Sequence, residues 1–256
     1  MLRIKTYVRP QTLEAAWQLC QKKGSVVLGG MLWLKMQDRA VGTAIDLQDL
    51  GLDRIKETKD SYSIGAMVTL RNLETHVGLN VLNHGAMADS VKHIVGVQFR
   101  NVATVGGSIW GRFGFSDVLT VFLAMDCYVE LYKGGILPLE QFAGMKKDND
   151  ILVRLIVKKT PGTVVYTAMR NQRTDFPVLT CALSNIGGEP KAVIGARPAK
   201  AMVIRDEAGL LPDGKAFAAY VAEKAPTDSN IRGSAAYRTH LIRVLTERAA
   251  KELGGM

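Results

Sequence analysis

The chain has 256 residues, of which 47% are hydrophobic and 22% charged, and its formal net charge is +9 at pH 7. This composition is typical of a soluble globular protein, and no apolar run approaches the roughly 18 residues that a membrane-spanning helix needs. The first segment, MLRIKTYVRPQT, has no apolar leader region. We therefore expect a cytoplasmic protein without membrane insertion.

The positive charge is spread along the chain and is not interleaved with aromatics in a nucleic-acid-binding module. Solvated faces explain it best, and a basic surface that binds an acidic protein partner is the second interpretation. Cys20, Cys127 and Cys181 lie far apart in apolar stretches and form no CxxC pair. The sequence thus predicts reduced core thiols and neither a zinc site nor an iron–sulfur cluster in this chain.

The first part of the chain predicts mixed strands and helices, opening as strand, helix, strand. Thr12 caps an amphipathic helix that stops at Gly24, and residues 25–30 read as a buried strand that enters a tight loop. Further strands are predicted at 43–50 and 62–70, and a helix after Thr69.

The next segment includes two glycine-rich turns. Residues 84–99 have helical periodicity, and residues 103–107 (ATVGG) are expected to be a strand running into a Gly-Gly loop. Ser116 caps a further helix. Residues 127–132 (CYVELY) and the Gly134-Gly135 turn predict a hairpin.

The character of the sequence changes near residue 160, at the Pro-Gly of KKTPGT. Strands at 163–169, 177–186 and 190–197 follow in meander order, and the chain after residues 201–211 (AMVIRDEAGLL) is predicted to be helical. These patterns predict two domains, residues 1–160 and 161–256.

Several common catalytic signatures are absent. A nucleophile elbow at GGSIW requires glycine where Trp110 stands, and the Walker-like GLLPDGKA has Ala216 where a hydroxyl must hold magnesium. The NAD fingerprint GxGxxG is missing, and the four histidines have no metal-ligand spacing.

Two similar loops remain, VVLGG at 26–30 and ATVGG at 103–107. Glycine lets an anion approach the main chain closely, and two such loops are able to clasp one dinucleotide. Spacing alone favours plain turns over phosphate sites, because glycine is abundant in this chain.

The amino-acid sequences of several longer blocks, and their order along the chain, favour the interpretation of the two loops as phosphate-binding sites. VVLGGMLWLKMQ, AIDLQDLGLDRI, YSIGAMVTLRNLE, RNVATVGGSI, SDVLTVFLAMDCYVEL and YTAMRNQRTDFPVLTCAL succeed one another. Block by block, they resemble the flavoprotein subunit of molybdenum hydroxylases such as xanthine dehydrogenase and aerobic carbon monoxide dehydrogenase. The resemblance extends over nearly the whole chain, and RNVATVGGSI is its most specific part.

The resemblance implies an α+β protein. Its FAD-binding domain would be of the vanillyl-alcohol-oxidase/MurB-like (PCMH) type, with subdomains at about 1–55 and 56–160. A carbon monoxide dehydrogenase flavoprotein C-terminal-like α+β domain would follow, with a small antiparallel sheet and helices. The chain would bind FAD, while partner subunits would hold 2Fe-2S clusters and the molybdenum cofactor. Electrons would pass from the iron–sulfur subunit through FAD to NAD+ or another acceptor.

The resemblance also assigns a cofactor site. The segment 28–34 would be the first pyrophosphate segment and 104–108 the second, with amides and the Thr104 hydroxyl facing the phosphates. Asp117 would accept hydrogen bonds from the nucleotide part of FAD, Ile94 would lie beside the flavin, and two residues at 151–152 would lie near its ring. The assigned residues are Leu28, Gly29, Gly30, Met31, Leu32, Trp33, Leu34, Ile94, Thr104, Val105, Gly106, Gly107, Ser108, Asp117, Ile151 and Leu152. No side chain is assigned a catalytic role, because the flavin carries the chemistry.

The chain departs from the family pattern at several positions. Met31 and Leu32 replace a usual Thr-Asp, Ser108 replaces an asparagine, and residues 112–115 (RFGF) replace a Ser-Pro-containing loop. A lysine common near the YTAM-like strand is absent, Thr167 and Ala168 being the nearby residues. Arg112 is a candidate replacement cation, and a solvent-facing arginine is the alternative.

The leading hypothesis is an FAD-binding electron-transfer subunit of a multi-subunit molybdenum hydroxylase that acts on a purine or related heterocycle. One alternative is a scaffold or assembly subunit of the same complex that has lost the flavin. The other is a stand-alone flavin reductase of the MurB-like fold.

Overall fold

The computed structural model describes residues 1–255, which form two compact units that alternate along the chain. Unit 1 comprises Met1–Asn72, Val97–Gly111 and Cys127–Val157. Unit 2 comprises Leu73–Gly96, Arg112–Asp126 and the remainder from Lys158 onward. Helices and sheets occur in both units, so the prediction of an α+β chain is confirmed.

Unit 1 begins with a small parallel sheet in the order β1-β3-β2. Its strands are β1 (Arg3–Val8), β2 (Ser25–Leu28) and β3 (Ala40–Asp46), and helix α1 (Leu13–Cys20) connects the first two. Thr12 caps α1, since its side chain accepts from the amide of Ala15. The predicted opening of strand, helix and strand is confirmed.

The second sheet of unit 1 has five strands in the order β4-β5-β8-β6-β7. The strands are β4 (Ile55–Glu57), β5 (Ser61–Gly65), β6 (Cys127–Leu131), β7 (Gly135–Pro138) and β8 (Leu152–Lys158). The predicted hairpin is confirmed as the antiparallel pair β6 and β7. The remaining helices of this part are α2 (Leu70–Thr75), which ends in unit 2, α5 (Val97–Arg100), α6 (Val105–Gly111) and α8 (Leu139–Gly144).

Unit 2 is built on a four-stranded antiparallel sheet in the order β12-β11-β10-β9. Its elements are α3 (Val77–Leu82), α4 (Ala86–Val91), α7 (Asp117–Ala124), β9 (Gly162–Arg170), β10 (Pro177–Ile186), β11 (Glu189–Gly195), β12 (Met202–Arg205), α9 (Gly214–Lys224) and α10 (Ala235–Gly254). Helix α10 contacts β9, β10 and α9, whereas α7 contacts β10, β11 and α4. The predicted meander is confirmed.

The predicted strands 43–50 and 62–70 end earlier than expected, at Asp46 and Gly65. Two further local predictions are wrong. Residues 103–107 are not a strand, because the Thr104 hydroxyl and carbonyl accept from the amides of Gly107 and Ser108 and so begin helix α6. Residues 84–99 are not one helix, because Val95 has a positive φ of 49° and separates α4 from α5.

Candidate functional site

The two glycine loops lie against each other in unit 1. A Cβ built on Gly29 would stand 2.7 Å from the Thr104 Oγ1 atom and 3.7 Å from the Gly107 Cα atom. A Cβ on Gly30 would overlap the carbonyl oxygen of Val102. Only glycine at positions 29 and 30 permits this approach, so the structure brings together the two segments that the sequence assigned to one ligand.

Apolar side chains of the first glycine loop pack against strand β3. Strand β2 ends at Leu28, which is paired in register with Asp46 of β3. Leu28, Met31 and Leu34 all pack in a cluster with Val41 and Ala44. Met31 has a φ of 57°, a left-handed conformation that is uncommon for a residue with a Cβ. The side chains at these loop positions therefore support the backbone.

The backbone of the first loop offers hydrogen-bond donors. Among the residues that the structure describes, no group accepts from the amides of Gly30, Met31 and Leu32. Trp33, the next residue along, has 41% of its surface exposed. A ligand with anionic oxygens would satisfy such donors.

The second loop offers fewer donors than the sequence suggests. The amides of Val105 and Gly106 already donate to the carbonyls of Val68 and Ala66, at 2.8 Å and 2.7 Å. The Ser108 hydroxyl donates to the carbonyl of Thr104. Val105 and Gly106 therefore shape the loop, but their amides are not available to a ligand.

Thr104 is the polar side chain of this loop that retains a donor. Its Oγ1 accepts from the Gly107 amide at 3.1 Å, so its hydroxyl proton is available to an acceptor on a ligand. Gly107 is exposed, and a Cβ there would meet nothing within 4 Å except Thr104 Oγ1. The hydroxyl, the open amides and the uncovered glycine fit a pyrophosphate group.

Asp117 belongs to unit 2, where it starts helix α7. Ser116 caps this helix by accepting from the Leu119 amide at 3.0 Å, as its sequence predicts. The Asp117 Oδ1 atom accepts from the Tyr166 hydroxyl and from Arg170 Nη2, the latter at 2.5 Å. The acid that was assigned to the nucleotide thus has two protein donors on one oxygen.

The charge of Asp117 is set by opposing effects. Burial raises the pKa of its carboxyl to about 6, although Arg170 and Tyr166 act in the other direction. The side chains of Asp117 and Arg170 are 6% and 8% exposed. At neutral pH the pair is mostly ionised and nearly sealed from water.

Tyr166 and Arg170 are not among the residues assigned from the sequence. A signal for them exists, since residues 166, 168 and 170 share one face of strand β9 by the two-residue period. Thr167 and Ala168 stand near the position of the family's lysine, whereas the buried cation of β9 is Arg170, two residues beyond Ala168. Arg112, the candidate replacement cation, is buried with a φ of 47°, so the alternative of a solvent-facing arginine is wrong.

The RFGF segment forms an aromatic stack within unit 2. Phe113 and Phe115 are stacked with ring centroids 5.2 Å apart, and Phe176 meets Phe115 edge-on at 4.5 Å. A Cβ on Gly114 would stand 2.7 Å from the carbonyl oxygen of Ala199. The departure from the family pattern is therefore built into the packing of the unit.

The other assigned residues lie in different surroundings. Ile151 and Leu152 are buried in unit 1, and Ile151 packs with Ala16 and Ile45. Ile94 is half-buried in unit 2, directly after α4. In residues 1–255 no group of three or more His, Cys, Asp or Glu side chains is placed to hold a metal ion. The same residues include no helix both long and apolar enough to cross a membrane.

Comparison with known proteins gives consistent matches. The family described as FAD binding domain in molybdopterin dehydrogenase matches residues 2–159. The uncharacterized protein YgfM of Escherichia coli (strain K12) is 25% identical over 247 residues, covering 94% of this chain and 93% of that protein. The nicotine 6-hydroxylase medium subunit of Paenarthrobacter nicotinovorans is 26% identical over 275 residues, covering 97% and 96%.

Solved structures share the fold over the full length. A carbon monoxide dehydrogenase chain from Hydrogenophaga pseudoflava, in an enzyme that lacks the Mo-pyranopterin moiety of its cofactor, aligns with a TM-score of 0.87 and 20% identity, covering 99% of this chain and 98% of that one. A chain of quinoline 2-oxidoreductase from Pseudomonas putida 86 aligns with a TM-score of 0.82 and 18% identity, covering 97% and 96%.

Proposed function

The chain belongs to the FAD-binding domains of molybdopterin dehydrogenases, and from this premise we propose that it is the flavin subunit of a multi-subunit molybdenum hydroxylase. The family resemblance stated from the sequence is confirmed, as are FAD as the cofactor and an oxidoreductase as the class of enzyme. The proposal adds the path of electrons, from a partner iron–sulfur subunit to FAD and on to NAD+ or another acceptor. It also includes a separate molybdenum-binding subunit and a cytoplasmic location.

The contact between the two glycine loops carries the proposal. The open amides of the first loop and the hydroxyl of Thr104 are donors within a single unit, and they suit the pyrophosphate of FAD. Met31 and Leu32 replace polar residues of the family, but a change of side chain leaves the backbone N–H donors in place. Binding would therefore depend on the main chain more than in relatives.

FAD, when bound, supplies both two-electron and one-electron transfer. The contribution of this chain is to bind and orient the cofactor. On our assignment, residues 28–34 and 104–108 hold its phosphates, Asp117 its nucleotide part, and Ile94, Ile151 and Leu152 lie near the flavin. The division into domains at residue 160, with a subdomain boundary near 55, is part of the same proposal.

Titration with FAD tests the assignment. The purified full-length chain is expected to show the visible absorbance of a flavin, or to quench the fluorescence of added FAD with a saturable isotherm. Failure of both, after refolding with excess FAD, would overturn cofactor binding and leave the scaffold subunit as the explanation. Purification with iron–sulfur and molybdenum subunits supports the complex, whereas an FAD-loaded chain that purifies alone and reduces acceptors unaided supports a stand-alone reductase.

A further inference from the structure

The loop between strands β9 and β10, residues 171–176, is held in place by hydrogen bonds. The Asp175 amide donates to the Gln172 carbonyl at 3.1 Å. Arg170, at the end of β9, donates to the Asp175 carbonyl at 2.6 Å. The cation of this ordered loop is Arg173, whose side chain is exposed.

Arg173 contacts a histidine on a different element of unit 2. Its Nε atom donates to the Nδ1 atom of His93 at 3.4 Å. His93 lies two residues after the end of α4 and is half-buried. The next residue, Ile94, is the one that our assignment places beside the flavin. The contact therefore ties the guanidinium of Arg173 to the segment that carries the proposed flavin contact.

The imidazole of His93 acts as the acceptor in this contact. Partial burial lowers the pKa of its imidazole, and three neighbouring cations lower this pKa further. These cations are Arg173, Lys92 and Arg170, and Asp89 acts in the other direction. The ring is therefore mostly uncharged at neutral pH, and the bond from Arg173 assigns its proton to Nε2.

Two of these three cations have a carboxylate partner. Lys92 lies 2.5 Å from Asp89, and Arg170 lies 2.5 Å from Asp117. Arg173 forms no ion pair with a carboxylate of residues 1–255. The charge of Arg173 is therefore the one in this group that is available to a ligand.

Reduction changes the charge of a flavin. Two electrons and one proton convert the neutral ring system of FAD to an anionic form at neutral pH, with the negative charge centred on N1. A nearby cation stabilises the anionic form more than the neutral oxidised form, and it thereby raises the reduction potential. A cation that is already held in place stabilises this charge without the cost of reorganisation.

We propose that Arg173, held by His93, lies beside the flavin and stabilises reduced FAD over oxidised FAD. The inference rests on the proposed function for the position of the flavin next to Ile94. Neither Arg173 nor His93 is among the cofactor residues assigned from the sequence. Arg173 would act on the flavin through its charge, and His93 is a positioning residue that acts through Arg173.

The test measures the midpoint potential of FAD bound to the full-length chain, by stepwise reduction with dithionite beside a reference dye, and the Kd of oxidised FAD. Arg173→Met is expected to lower the preference for reduced over oxidised FAD about tenfold, which corresponds to a fall of about 30 mV for a two-electron couple. Arg173→Lys should retain most of the wild-type potential, because the charge is kept.

The role of His93 is tested by the same measurement. His93→Leu should show part of the fall in potential, whereas His93→Gln, which keeps an acceptor for Arg173, should restore it. Arg243→Met is the matched control for loss of a positive charge, since Arg243 is exposed on helix α10 of the same unit. Its potential should equal that of the wild type.

Distinct results overturn the inference. Equal potentials of the wild type and Arg173→Met would exclude Arg173 while FAD binding and the proposed function stand. Equal falls in Arg173→Met and Arg243→Met would show an effect of net charge alone. A fall in Arg173→Met with none in His93→Leu would remove the positioning role of His93. A wild type that does not bind FAD would overturn the proposed function and this inference together.

Discussion

Arg170 and Tyr166 donate to the same carboxylate oxygen of Asp117, with Arg170 Nη2 at 2.5 Å. The two donors come from one strand, β9, and the acceptor from the first turn of α7. A charge pair this deeply buried is sensitive to the loss of either partner, because an uncompensated ion would be left away from water. The cluster therefore ties the helix to the sheet, and its two donors offset part of the cost of burying the carboxylate in unit 2.

The pH dependence of stability should report on Asp117. Its pKa in the folded chain is raised to about 6 from an ordinary 3.8, so the folded state holds the proton more tightly than the unfolded state. The free energy of unfolding should lose up to about 1.4 kcal/mol per pH unit as pH rises between these values. Urea unfolding of Asp117→Asn from pH 4 to 7.5 should lack this contribution. The Asp60→Asn variant, changed at an exposed carboxyl group, should keep the pH dependence of the wild type. Superimposable pH profiles for the wild type and Asp117→Asn would contradict the prediction.

Removing the cation of the pair should destabilise the chain strongly at neutral pH. Arg170→Met leaves Asp117 buried with the Tyr166 hydroxyl alone, at an expected cost of about 3–5 kcal/mol in the free energy of unfolding. The cost should shrink below pH 5, where the carboxyl is protonated. Arg170→Lys should recover part of the loss, and Arg173→Met, on the exposed loop nearby, should have little effect. A pH-independent cost would mean that Arg170 acts only through packing.

The glycines of the two loops should respond differently to alanine. A methyl group at Gly30 would overlap the Val102 carbonyl, so Gly30→Ala should lower the melting temperature and weaken FAD binding together. Gly107→Ala should change the melting temperature less than Gly30→Ala, because position 107 is exposed and helical and its methyl group would stand 3.1 Å from the Thr104 Oγ1 atom instead of overlapping the backbone. It should nevertheless weaken FAD binding, since the methyl group would lie where a phosphate is proposed. Gly144→Ala, with open space around it, is the neutral control.

The hydroxyl group of Thr104 should contribute to the affinity for FAD. Thr104→Val keeps the shape of the side chain but removes the acceptor of the Gly107 amide and the donor proposed for a phosphate. The loss of about 1–3 kcal/mol corresponds to a weakening of FAD affinity by about fivefold to 150-fold. Fluorescence titration measures it, and Thr104→Ser should bind like the wild type. Unchanged affinity in Thr104→Val would remove this residue from the proposed site.

Local signals in the sequence predicted most elements. The caps at Thr12 and Ser116 and the Gly134-Gly135 hairpin depend on contacts within a few residues, which the order of residues specifies directly. The predicted strand at 103–107 failed because the hydroxyl and carbonyl of Thr104 begin a helix there, overriding the β-branched residues.

Contacts between distant segments of one unit were harder to foresee. Nothing local shows that Gly30 meets Val102, or that the partner of Asp117 is Arg170, 53 residues later. Glycine pairs are visible in the sequence and drew attention to both loops, whereas Asp117 was assigned through the family resemblance. Which amides are already used, as at Val105 and Gly106, depends on the strand and loop packed against them.

The alternation of the two units along the chain affects the order in which they can be completed during synthesis. Unit 1 is complete once residue 157 has been made, whereas unit 2 requires the chain that follows. All eight residues of α7 are buried in the finished protein, yet the strands that cover them, β10 and β11, emerge from the ribosome later. During this interval the nascent chain carries an apolar helix of which only the side facing α4 has its native partner available, and exposed apolar surface of this kind is prone to aggregation until β10 and β11 have been made.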